Sequence, residues 1–135
     1  MRLYQLVWMS VQKGGLTHDE IETIVQCGNQ RNIELEITGV LGHKRGSFFQ
    51  VLEGSNDTLF QLYARITGDM RHKNVQMIQF NEIKERRFKK GMELADCERN
   101  EFLSELVSAD PKDFYGSFPV RYDLLNELIR TLDLE

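Results

Sequence analysis

The stretch SFFQVLEG, residues 47–54, sets an amide, Gln50, in the middle of an apolar run. Side chains alternate with period two along a strand, so Gln50 shares a face with Phe48 and Leu52. A buried amide left unpaired costs about 1–3 kcal/mol, so its partners are either a backbone group, hydroxyl or water, or a ligand with donors and acceptors of its own. Three more residues suited to binding stand at Trp8, Arg31 and Asn32. Their chemistry is hydrogen bonding and stacking, not bond making. Catalysis finds less support: His18, His43 and His72 are scattered, no glycine loop cradles a phosphate, and no nucleophile stands beside a base. Phosphatase chemistry, which the fold expected below can carry, therefore lacks its parts here, and no enzyme activity is expected. Cys27 and Cys97 lie too far apart in sequence to make a metal-ligand motif.

The chain has 135 residues, enough for one domain with a real core and too few to expect two. A net charge of −4 argues against general attraction to nucleic acid or to an anionic membrane. The basic run KERRFKK, residues 84–90, reads as a solvated edge. With only two cysteines, a reducing cytoplasmic setting is the simplest inference. The opening MRLYQLVWMS lacks the apolar core and cleavage site of a signal peptide, and no run is long enough to span a bilayer.

These residues need elements to position them. Residues 3–10 alternate as a first strand. LTHDEIETIVQCGNQRN then carries a helix start: Thr17 caps, Glu20 completes a capping box, and Leu16 staples against Ile21. Ile21, Ile24 and Val25 give this helix its buried face, and Asn32 falls just beyond its end, where asparagine is often a terminator. Two β-prone segments flank HKRG, a hairpin in which Gly46 supplies the turn. A second helix begins at Ser55 or Asp57 and turns Leu59, Leu62, Tyr63 and Ile66 toward a sheet. VQMIQFNEI is a fourth strand, and a fifth is expected over residues 91–95. In RITGDMRH, Arg65 and Asp69 read as a helix-surface ion pair at i, i+4, and His72 as an exposed loop residue.

The order strand, helix, strand, strand, helix, strand is an α+β, ferredoxin-like arrangement, βαββαβ with one further strand, and both helices on one face. Residues 1–95 form this core. Residues 96–135 add two amphipathic helices of the same domain, expected to cover the other face, with a subunit contact as the sharper reading of their leucine stripe. The gap between the first two helices is a natural ligand slot, on which Trp8, Arg31, Asn32 and Gln50 can converge.

In wording and order, LYQLVW, NQRN, ITGVL, FFQVLEG, LYARITGDMRH and ERRF resemble the BLUF domains, which sense blue light using flavin. The resemblance covers about the first 95 residues and suits short members that consist of little else. It implies an FAD site lined by Ile24, Arg31, Asn32, Gln50, Arg65, Asp69 and His72. Within it, Asn32 hydrogen-bonds the ring and Gln50 carries the amide that rearranges after excitation, while Arg65, Asp69 and His72 flank the ribityl and phosphate portion.

The chain also departs from that pattern. Trp8 stands at the position of the photoactive tyrosine, and an indole N–H only donates where a phenol both donates and accepts. Arg31 replaces an asparagine. The motif Phe-x-x-Trp-Ser-Met here reads FKKGME, with Gly91 and Glu93 at the tryptophan and methionine positions unless a one-residue shift lets Met92 serve. The expected function is a flavin-binding blue-light sensor and signalling protein with an altered photocycle. The alternative is a degenerate module that has lost flavin and acts through protein contacts. Either way a homodimer or higher homo-oligomer and a downstream protein partner are expected, with no nucleic acid and no membrane.

Overall fold

The computed structural model describes residues 2–15, 17–44, 47–88 and 91–94. Along the chain run β1 (Leu3–Gln12), α1 (His18–Glu34), β2 (Thr38–Lys44), β3 (Ser47–Gly54), α2 (Asn56–Thr67), β4 (His72–Ile83) and β5 (Met92–Leu94). The sheet order is β4-β1-β3-β2-β5. All neighbours are antiparallel except β5, which lies parallel to β2. This is the ferredoxin-like arrangement expected from the sequence, with a fifth strand added at one edge.

Local signals explain the helices. Thr17 accepts from the Glu20 N–H at 3.2 Å while the Glu20 carboxylate reaches back to the Thr17 N–H, a complete capping box. Ser55 caps α2 by accepting from the Thr58 N–H at 3.3 Å. The expected staple through Leu16 and the turn at Gly46 fall outside the described residues. One boundary differs from expectation: α1 continues to Glu34, which places Asn32 inside its last turn. The reversal comes later, at Glu36, whose φ of 56° is left-handed, and the Asn32 carbonyl accepts from the Ile37 N–H at 2.8 Å.

Both helices cover the face that carries Leu6, Trp8, Phe48 and Leu52, with Ile21 of α1 and Leu59 of α2 almost wholly buried among them. Alternation sends Val7, Met9, Phe49 and Val51 to the opposite face, where each is also fully buried. The two helices expected to cover that face, and the boundary at residue 95, lie outside the described residues.

A buried carboxylate ties the approach to β5. Glu53 is 0% exposed and accepts from the Thr38 hydroxyl at 2.8 Å, the Arg87 N–H at 2.8 Å and the Phe88 N–H at 3.1 Å. Arg86 adds bonds to the Thr38 hydroxyl and to the Glu53 carbonyl. A buried carboxylate needs such partners, because desolvation otherwise costs several kcal/mol.

Candidate functional site

Sheet register brings the first two residues of the site together. Trp8 of β1 and Leu41 of β2 flank Gln50 of β3 in one cross-strand row on the helix-covered face. The Trp8 indole Nε1–H donates to Gln50 Oε1 at 2.9 Å, and Gln50 Nε2–H donates to the Met92 sulfur at 3.2 Å. The amide raised by the sequence is therefore engaged at both ends within the protein. A thioether is a weak acceptor, and the second N–H of the amide remains for a ligand.

Above this row, α1 and α2 leave a cavity of about 190 Å³ that opens to solvent. An apolar cavity of about 150 Å³ holds a benzene ring, so this one has room for a larger aromatic system running out to its mouth. Ile21, Ile24 and Val25 of α1 form one wall, Leu62 and Ile66 of α2 the other, and Phe48 joins Trp8 on the floor. Against this apolar lining stands Asn32, buried at 8% exposure, whose side-chain amide has no hydrogen bond among the described residues.

The mouth is charged. Arg31, Asp69 and Arg71 line it. Arg71 grips Asp69 through Nε at 2.9 and 3.0 Å and through Nη2, and its own backbone N–H donates to the same carboxylate at 2.9 Å. That side-chain hydrogen bonding holds the Asp69 pKa down to about 2 and raises that of Arg71. The ion pair expected between Arg65 and Asp69 is not the one observed. Gly68 caps α2 after Thr67, so Asp69 is off the helix before it can face Arg65. Arg65 is exposed on the last turn and does not line the cavity.

His72 also departs from its reading as an exposed loop residue. It opens β4, opposite Gln12, and is 8% exposed. Its Nδ1 lies 2.7 Å from the Ser10 hydroxyl and its Nε2 bonds the Ile66 carbonyl. A carbonyl only accepts, so Nε2 carries a proton and donates to it, while Nδ1 shares its hydrogen bond with the Ser10 hydroxyl. The ring meets Trp8 edge-on with centroids 5.5 Å apart. His72 thus pins the end of α2 to β1 beside the indole.

The profile of the BLUF family, described as sensors of blue-light using FAD, matches residues 3–93. The chain belongs to the BLUF family. Over 106 residues it is 37% identical to the blue light- and temperature-regulated antirepressor BluF of Escherichia coli K12, a match covering 76% of this chain and 26% of that protein. It is 26% identical over 129 residues to the photoactivated adenylate cyclase subunit beta of Euglena gracilis, covering 96% of this chain and 14% of that one. The chain thus spans about a quarter or less of the length of these relatives. Its backbone is similar to the dark-state structure of BlrB, a BLUF protein, with a TM-score of 0.82 at 25% identity over 98% of this chain and 96% of that one.

The cofactor of BLUF domains is FAD, and this cavity suits an isoalloxazine: flat apolar walls, a free buried amide at Asn32, and an amide N–H at Gln50. Of the residues expected at the site, Trp8, Ile24, Arg31, Asn32, Gln50, Asp69 and His72 line one cavity, and Arg65 does not. Sequence reasoning did not count Arg71 and left Met92 open. Arg71 had a signal in its two-residue spacing from Asp69, just after the helix-ending Gly68. Met92 had only the FKKGME motif, whose register was ambiguous. The structure puts the Met92 side chain in the cavity, while the side chain of Glu93 lies outside the described set.

Proposed function

We propose that this chain binds FAD in the cavity between α1 and α2 and works as a blue-light sensor whose response is altered by Trp8. Asn32 and the second N–H of Gln50 hydrogen-bond the ring, Ile24 and the other aliphatic residues of the walls enclose it, and Arg31 and Arg71 attract the phosphates at the mouth. His72 supports this site by holding α2, with Arg65 contributing positive charge nearby. What FAD supplies when bound is absorption of blue light and an electron-accepting excited state.

The cavity with the buried Asn32 amide supports binding, and the observation that carries the altered response is the Trp8 to Gln50 hydrogen bond at 2.9 Å. Because an indole only donates, the Gln50 carbonyl oxygen must face it. A half-turn of the amide would set an NH2 group against the indole N–H, two donors opposed, at a cost of about 1–3 kcal/mol. A tyrosine hydroxyl satisfies either orientation by turning its own proton. Trp8 can therefore give an electron, but it holds the amide in one pose.

The test is absorption and illumination of the purified protein. A flavin spectrum is expected, with no long-lived red-shifted state after blue light. Trp8→Tyr should introduce that state. A protein that takes up no FAD on incubation overturns the reading, and a red-shifted state in the unaltered protein overturns the role given to Trp8.

A second reading, a module that has lost flavin and acts through protein contacts, is favoured by one observation: Trp8 and Met92 satisfy Gln50 without a ligand. The same spectrum decides between them. In both readings the chain has no reaction of its own and signals in the cytoplasm through a protein partner, as a homodimer or higher homo-oligomer. Among the described residues no helix is long and apolar enough to cross a membrane.

A further inference from the structure

Among the described strands β5 lies at the edge of the sheet, and the N–H groups that such a strand turns away from its neighbour have no partner in those strands. The Met92 N–H is instead taken by a side chain of α1, donating to Asn29 Oδ1 at 2.9 Å. The residue before it, Gly91, has a left-handed φ of 40°, and a Cβ built there would fall on that same Asn29 amide. The Gly91 carbonyl accepts from the Gly39 N–H of β2 at 3.0 Å. At its other end, Met92 accepts the Gln50 amide on its sulfur. One residue is thus held through its backbone by α1 and through its side chain by β3.

We propose that Asn29 and Gly91 form a latch that fixes the register of β5 with Met92 turned into the cavity. Asn29 is a positioning residue: it acts on Gln50 through Met92. Register matters because a slip of one residue in a strand sends every side chain to the opposite face, which would take the sulfur off Gln50. Gly91 is what admits the latch, since any larger residue occupies the space of the Asn29 amide. The two departures of FKKGME from the family motif then have one cause: loss of the bulky residue at 91 lets Asn29 reach the strand and selects Met92 as the inward residue. A displacement of α1 and a change in the Gln50 amide converge on the same residue of β5.

The biological use of the latch rests on the site proposed above, but its test needs no flavin. Hydrogen exchange of the Met92 amide is measured by NMR in the flavin-free protein, with the Ile37 amide, bonded to Asn32, as the control on α1. Trp8 is the sole tryptophan, so its fluorescence reports on the Gln50 row directly. Asn29→Ala and Gly91→Ala should each speed Met92 exchange by roughly tenfold and shift the Trp8 emission, with the Ile37 amide unchanged and the double variant no faster than about twofold beyond either single one. Asn29→Asp keeps an acceptor and should restore slow exchange and the original emission. Met92 exchange within about twofold of wild type in a folded Asn29→Ala, or in folded Gly91→Ala should Asn29→Ala not fold, overturns the latch, as does an Asn29→Asp variant that behaves like the alanine. A protein that exchanges as expected but binds no FAD leaves the latch standing and removes the flavin reading.

Discussion

Gln50 and Asp69 show how far a single residue can be read without its neighbours. Strand alternation alone put Gln50 on the face of Phe48 and Leu52, and the register now sets it beside Trp8. Asp69 was misjudged because its spacing from Arg65 implied a continuous helix, whereas Gly68 ends α2 and Arg71 captures the carboxylate. That capture has a pH signature. The folded pKa of Asp69 is about 2, below the value of about 3.9 for an unfolded aspartate, so its contribution to stability is complete above about pH 4 and is lost as pH falls through about 2. Arg71 is half exposed, and solvent screening keeps the effect small. Asp69→Asn should therefore lose less stability than wild type between about pH 5 and about pH 2, read from urea midpoints at the two pH values. Equal losses in the two proteins would refute the pairing as the source.

At the level of elements, what was legible is what the chain decides locally. Thr17 with Glu20 and Ser55 with Thr58 are signals within four residues, and both caps form. Thr17→Ala should cost about 1 kcal/mol in the unfolding free energy, with Thr17→Asp nearly neutral because aspartate caps as well. Elements decided at long range were read less well. β4 begins at His72, three residues before the alternating pattern, because Ser10 and Ile66 supply partners for that imidazole from β1 and α2. The position of Met92 depends on Asn29, 63 residues earlier, and no local propensity carries that information. Asn32 was expected outside α1 because asparagine often ends helices, yet Glu36 makes the reversal and leaves the amide free for the cavity.

For the molecule as a whole, element order was enough to give the sheet topology, because the split βαβ arrangement follows from where two helices interrupt four strands. The cavity volume was not legible, since it depends on how closely α1 and α2 approach over Trp8. If FAD fills it, folding and binding are linked: excess FAD should raise the thermal midpoint in proportion to RT ln(1 + [L]/Kd), about 2.7 kcal/mol at a hundredfold excess over Kd. Asn32→Ala removes the amide and should weaken FAD binding roughly tenfold, measured by titration of flavin fluorescence, while leaving the flavin-free midpoint nearly unchanged because that side chain has no hydrogen bond to lose among the described residues.

The Glu53 cluster has a mechanical consequence for this molecule. A carboxylate shut away from water and gripped by two successive backbone N–H groups makes residues 87–88 a fixed post. The segment that joins β4 to β5 is thereby tethered to β3 part-way along, so the two strands are not connected by a free linker.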